Sequence, residues 1–126
     1  MLRRVYDAFN AREIDAVLAH LSDDVDWPNA WEGGRVRGHA GVREYWERQW
    51  REIDPKVSPV AFAERSGGRV AVTVDALVRD REGRVLSEGR VLHVYTFDGD
   101  LVARMDVEEE PRGGDGGPAT GAVRGS

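Results

Sequence analysis

The chain has no cysteine, which excludes disulfides, thiolate-bound metals and a cysteine nucleophile. Histidine is nearly as scarce. His20, His39 and His93 stand far apart, without the His-x-x-x-His spacing of a metal site, so no tightly bound metal is expected. No apolar run approaches the ~18 residues of a membrane span, and the opening MLRRVYDAFNARE lacks the apolar centre of a secretion signal. A cytoplasmic protein with no membrane partner is the expectation. Basic clusters are missing too. The formal net charge is −5 and the arginines are dispersed among acids, which argues against a nucleic-acid partner.

What the chain does hold is tryptophan in one place. Trp27, Trp31, Trp46 and Trp50 all fall within a 24-residue stretch, and none occurs elsewhere. Each side chain buries roughly 150–250 Å², so at about 25 cal/mol per Å² the four together have a gross upper bound of ~15–25 kcal/mol. Such an aromatic wall serves either a core or a pocket. The length of 126 residues, with 40% hydrophobic and 33% charged side chains, fits one globular domain with one core.

Leu2, Val5, Tyr6 and Phe9 repeat at helical spacing, and Ile14, Val17, Leu18 and Leu21 repeat it again after a break at Asn10. Two short amphipathic helices are predicted, with Asn10 and Glu13 as a capping box for the second. Val25 and Trp27 suit a short strand. Val42, Trp46, Gln49, Trp50 and Ile53 lie along one face of a third helix, from about 39 to 53, that stops before Pro55. The period then changes to two. Strands are predicted over about 70–79, 84–97 and 101–109, joined by turns at Asp80-Arg81-Glu82-Gly83 and Asp98-Gly99-Asp100. Helices first and antiparallel strands afterwards make an α+β domain, with the helices on one face of a curved sheet. The domain spans residues 1–110. Residues 111–126, PRGGDGGPATGAVRGS, hold six of the 15 glycines and few apolar groups, and read as a disordered tail.

The segments FNAREIDAVLAHLSDDVDW, RGHAGVREYWERQW and HVYTFDGDLVARMDV, in that order, resemble the SnoaL-like members of the nuclear transport factor two-like superfamily, over residues 2 to about 110. The resemblance implies a cone-shaped roll of three helices on a strongly curved antiparallel sheet that encloses an open-ended apolar cavity, commonly in a homodimer. It also implies small-molecule chemistry without a cofactor. Activities on this scaffold include polyketide cyclases, ketosteroid isomerase, limonene-epoxide hydrolase and scytalone dehydratase, so the pocket residues must decide among them.

The family's inward-facing parity would place Thr73, Asp75 and Leu77 on the cavity side, then His93, Tyr95 and Phe97, then Arg104, Asp106 and Glu108. Carboxylates in an enclosed, Trp-lined space have raised pKa values, which suits a proton shuttle near neutral pH. His93 and Asp106 resemble the histidine and acid/base aspartate of SnoaL-type cyclases, which close a ring by an intramolecular aldol step. Read without the family, His93 is a satisfied strand histidine and Asp106 a salt-bridge partner of Arg104. Asp75, Asp106 and Asn29 resemble the two aspartates and the asparagine of limonene-epoxide hydrolase, but that enzyme's linking arginine would fall near Thr73 and its water-holding tyrosine near Trp27. Arg104 is the available substitute. In the ketosteroid isomerase pattern the base would be Asn29, the oxyanion-hole tyrosine would lie near Val5 and the protonated aspartate would be His93. An amide cannot abstract a proton at neutral pH.

Trp46 and Trp50 read as core residues that could also touch a ligand, and Trp27 and Trp31 as ligand contacts at the cavity rim, with Tyr95 and Arg104 beside them. Val70, Val72, Val74 and Val78 read as an outer sheet face too apolar for water, whose natural cover is a homodimer contact. The expected function is binding of a compact apolar or aromatic small molecule, with cofactor-free proton transfer of the cyclase, isomerase or dehydratase type through Asp106 and His93. The alternatives are an epoxide hydrolase, or a ligand-binding or dimerisation module without turnover.

Overall fold

Leu2, Val5, Tyr6 and Ala8 are buried along helix α1 (Leu2–Asn10), on the stripe that their spacing defines. In the computed structural model, which describes residues 1–29 and 32–109, α2 (Ile14–Leu18), β1 (Leu21–Pro28), β2 (Arg35–Arg37), α3 (Gly38–Glu52) and β3 (Ile53–Glu64) follow. After a single 3-10 turn at Ser66–Gly68 come β4 (Val70–Asp80), β5 (Val85–Asp98) and β6 (Leu101–Glu109). Trp31 and the tail 111–126 lie outside the described residues.

The six strands form one sheet in the order β2-β1-β6-β5-β4-β3. The expected α+β roll is the fold observed, with one departure: β1 runs parallel to β6, while the other neighbouring pairs are antiparallel. Strand β3 has no counterpart in the sequence pattern. Pro55 and Pro59 interrupt it and its outer half is exposed, yet it pairs with β4 along its length, because at a sheet edge proline need not cost a ladder bond. The β4–β5 turn is closed by Asp80, whose Oδ1 accepts from the backbone N–H of Glu82 and of Arg84, both at 2.9 Å. Gly83 supplies the φ of 95° there.

Asn10 does not cap α2. Its Nδ2 donates to the Val57 carbonyl at 2.7 Å and its Oδ1 accepts from the Val57 N–H at 3.0 Å. The N-cap of α2 is Glu13, with no side-chain cap bond. The turn between α1 and α2 passes through Arg12 at a φ of 64°, a left-handed conformation uncommon outside glycine, asparagine and aspartate. Its guanidinium donates to the carbonyls of Phe9 (3.3 Å) and Pro55 (2.8 Å), pairs with Asp54, and lies 4.8 Å from the ring centroid of Trp50.

Helix α3 buries Val42, Tyr45, Trp46 and Gln49, and the chain turns extended at Ile53, ahead of Pro55, as expected. That face and α1 pack on Val72 and Val74 of β4, Val91 and Tyr95 of β5, and Val102 and Met105 of β6. The valine face of β4 is thus the inner face, not an outer one. The alternation itself required this, since the branched apolar set must be the buried set. The valine argument for a homodimer falls with it.

Register accounts for the remaining inversions. Directly paired residues share a face, and His93 pairs with Val72 while Asp75 pairs with Arg90. Asp75 therefore lies on the face opposite His93. On β6 the pairing shifts between Thr96–Arg104 and Phe97–Val102, so Ala103 is an extra residue. Beyond this bulge Met105 pairs with Tyr95 and Val107 with His93 on the inner face, which turns Arg104 and Asp106 outward.

Adjacent β4 residues test this orientation. Val74→Ala is expected to destabilise by about 2–3 kcal/mol, and Asp75→Ala to change stability by less than about 1 kcal/mol. Urea denaturation of the two variants measures both, and the reverse ranking would show that the strand faces the other way.

Candidate functional site

A cavity of about 120 Å³ opens between α1, α3 and the inner face of the sheet. Its wall is mostly apolar: Val5 and Phe9 from α1, Trp27 from β1, Trp46 from α3, and Ala76, Val78, Val91, Met105 and Val107 from the strands. Trp46, only 1% exposed, forms its centre. Phe9 and Trp27 meet it edge-on, with centroids at 5.3 and 5.6 Å, and Trp50 stacks on it at 5.8 Å. Edge-to-face contacts of this kind add about 0.5–1.5 kcal/mol each beyond burial.

Five polar side chains interrupt the apolar wall: Tyr6, Tyr45, Gln49, His93 and Tyr95. Three of them form one chain. The Tyr95 hydroxyl donates to the Tyr6 hydroxyl at 2.8 Å, and the Tyr6 hydroxyl is hydrogen-bonded to Nδ1 of His93, also at 2.8 Å. The rings of Tyr6 and His93 lie nearly parallel, 5.8 Å apart. Burial pushes the His93 imidazole down to about 4, because a charge there would be desolvated. Burial likewise raises both phenols well above their ordinary range. At neutral pH all three groups are uncharged. With Nδ1 accepting, the imidazole proton sits on Nε2.

On the helix side, Gln49 Nε2 donates to the Tyr45 hydroxyl at 3.1 Å. Trp50 does not line the cavity. It lies behind Trp46, against Phe9 and under Arg12, with its indole N–H buried and unpaired.

Of the residues singled out in the sequence, His93, Tyr95, Trp27 and Trp46 come together in the cavity wall. Asp75, Asp106 and Arg104 do not. The Asp75 carboxylate is held by Arg90, with Nε at 2.6 Å and Nη2 at 3.1 Å, and the Arg90 guanidinium keeps it below its ordinary pKa. Asp106 joins an ion cluster on the outer face. Arg104 and Arg35 contact it at 2.9 and 3.2 Å, and both also contact Asp26, at 2.8 and 2.5 Å. The hydrogen bond from Arg35 holds Asp26 below the usual carboxylate range. The enclosed acid pair expected from the sequence does not form, because these aspartates face solvent and arginine.

Asn29 is buried but occupied by its own turn: its Oδ1 accepts from the Glu32 N–H at 2.8 Å and its Nδ2 donates to the Glu32 carboxylate at 3.0 Å. Trp31 lies outside the described residues. The sequence reading missed Tyr6, Tyr45 and Gln49 as site residues. For Gln49 the signal was there, an amide on a helix face otherwise made of Val42, Tyr45 and Trp46.

Among the described residues no group of three or more His, Cys, Asp or Glu could hold a metal ion, and no helix is long and apolar enough to cross a membrane. The fold is similar to TerC co-crystallised with polyporic acid, at 24% identity over 86% of this chain and 88% of that one, with a TM-score of 0.75. It is also similar to an NTF2-like protein of unknown function from Burkholderia pseudomallei (27% identity, 86% and 87% covered, TM-score 0.74). A third similar structure is a Mycobacterium tuberculosis protein in complex with estradiol-17beta-hemisuccinate (18% identity, 83% and 87% covered, TM-score 0.72). No curated protein matches the chain at a significant level. The model of the SnoaL-like domain matches residues 2–105, nearly the whole of the described fold, and the chain belongs to that family.

Proposed function

We propose that the protein binds a compact, mainly apolar or aromatic small molecule in the cavity, and that Nε2–H of His93 donates to an oxygen of that molecule. The observation that carries this reading is the hydrogen-bonded chain of Tyr95, Tyr6 and Nδ1 of His93 in an apolar wall; with Tyr6 donating to Nδ1, the neutral imidazole keeps Nε2–H for the ligand. An apolar pocket with a few convergent polar groups is the usual form of a small-molecule site. Two of the similar folds were crystallised with small molecules, polyporic acid and estradiol-17beta-hemisuccinate, which supports a small-molecule ligand for this chain.

The same donor favours a second reading, turnover by proton transfer. A neutral imidazole polarises a ligand carbonyl and stabilises the enolate left when the adjacent carbon gives up a proton. Cofactor-free isomerisation, dehydration or aldol ring closure fits that chemistry. No carboxylate lines the cavity among the described residues, so the carbon's proton passes to water or to an oxygen of the substrate itself.

A pair of probes tests the donor. Tryptophan fluorescence is expected to saturate on titration with 1-tetralone, a compact aromatic ketone. In His93→Phe the affinity ratio of 1-tetralone to tetralin, which lacks the carbonyl, should fall about tenfold, the worth of one hydrogen bond. An unchanged ratio would remove His93 from the site, and no saturation with either compound would sink the cavity reading.

The pH dependence of stability follows from the same residue. The unfolded imidazole takes its proton near pH 6.5, the folded one only near pH 4, so between those values the unfolded chain holds the extra proton. The contribution of neutral His93 is whole above pH 6.5 and is lost as the pH falls toward 4, at most about 3 kcal/mol. Urea midpoints measured from pH 7 to 4 should fall less steeply in His93→Phe than in the unaltered protein. Parallel profiles would show that His93 titrates normally in the fold.

A further inference from the structure

Gln49 carries an acceptor that the fold leaves unused. It is only 9% exposed and lines the cavity, its Nε2 is committed to the Tyr45 hydroxyl, and its Oε1 is buried with no hydrogen-bond partner in the protein. The bond to the Tyr45 hydroxyl accounts for the amide nitrogen and leaves the oxygen without a structural role. The neighbouring turns of the same helix face are filled by Val42 and Trp46, and a leucine or methionine would occupy the space without a buried polar atom left over. Burying an unpaired carbonyl oxygen is unfavourable, so the group is expected where it meets a donor from outside the chain.

We propose that Gln49 Oε1 is a specificity determinant of the cavity, and that it accepts a hydrogen bond from a hydroxyl of the bound ligand. The proposal rests on the cavity being the ligand site, as argued above. It adds a second polar demand with the opposite sense to the first. His93 presents a proton and so asks for an oxygen acceptor, while Gln49 presents a lone pair and so asks for a donor. The ligand class that answers both is a hydroxylated aromatic or alicyclic ketone, with the carbonyl toward β5 and the hydroxyl toward α3.

Selectivity comes from what happens to Oε1 when the cavity fills. A ligand hydroxyl gives it a partner, whereas a bare ring face leaves it unpaired, as it is in the empty cavity. The hydroxylated compound therefore relieves a cost that the deoxy compound leaves in place. Sites built to bond a hydroxyl reject the analogue that lacks it for this reason.

The test compares 6-hydroxy-1-tetralone with 1-tetralone by tryptophan fluorescence. The unaltered protein is expected to bind the hydroxylated compound about tenfold more tightly. In Gln49→Met, which keeps the side chain's length, that preference should vanish, while the preference for 1-tetralone over tetralin, which reads His93, stays as it was. Gln49→Leu serves if the methionine variant does not fold. A preference that survives in the variant, or is missing from the unaltered protein while 1-tetralone still binds, overturns the assignment of Gln49 and leaves the cavity reading standing. Failure of both ketones to bind the unaltered protein overturns both together.

Discussion

Trp46 stands where every layer around the cavity meets. Its indole touches Phe9 of α1 and Trp27 of β1 edge-on and stacks on Trp50 one turn along its own helix. Trp27 in turn reaches Tyr95 on β5, at 6.4 Å. Rigid flat groups in mutual edge contact leave gaps that side chains of this size cannot close, and the cavity is the gap that remains. The same residues that stabilise the domain therefore shape its cavity. Interiors pack densely, and a retained void with this lining calls for a use.

The polar groups in that void obey a strict count. Each phenol has one proton, and the Tyr95 proton is spent on Tyr6. When Tyr6 gives its own to Nδ1 of His93, every proton of the chain has an acceptor and the imidazole keeps its single proton on Nε2. Desolvation keeps the three groups neutral, because none of them has a charged partner in the wall to stabilise an ion. On the outer face the opposite holds: the side chains of Asp26 and Asp106 are shared among Arg35, Arg37 and Arg104. The sheet thus separates a neutral, directional hydrogen-bond system from a charged, solvated one.

The helices and four of the strands, β1, β4, β5 and β6, were legible because their patterns are local. The stripe Leu2, Val5, Tyr6 needs nothing beyond its own helix, and the stop before Pro55 needs only the proline. Strand β3 was hidden because an edge strand with two prolines has neither alternation nor a continuous apolar face. The candidate site was legible in part. His93 and Tyr95 were placed correctly on the inner face, and Trp27 and Trp46 line the cavity, but Asp75 and Asp106 were assigned to the wrong face. For β4, the valine alternation already held the right answer, and the parity carried over from the family contradicted it. For β6 no local pattern would have served, because the bulge at Ala103 inverts the alternation partway along, and a bulge is a property of two strands together. Tyr6 was read only as a helix-stripe residue, since nothing in a sequence shows that residues 87 apart share a proton.

The bond between Asn10 and Val57 has a consequence for how this molecule meets its own copies. β3 ends the sheet, and a terminal strand offers a row of unpaired amides and carbonyls onto which another chain can lay a strand of its own. At Val57 both groups are already taken by the Asn10 amide. Two residues to either side, on the same side of the strand, stand Pro55 and Pro59, which have no N–H to offer. Over this stretch the border of the sheet gives an incoming strand no amide to pair with, and a single side chain from α1 does the work of a seventh strand without allowing an eighth.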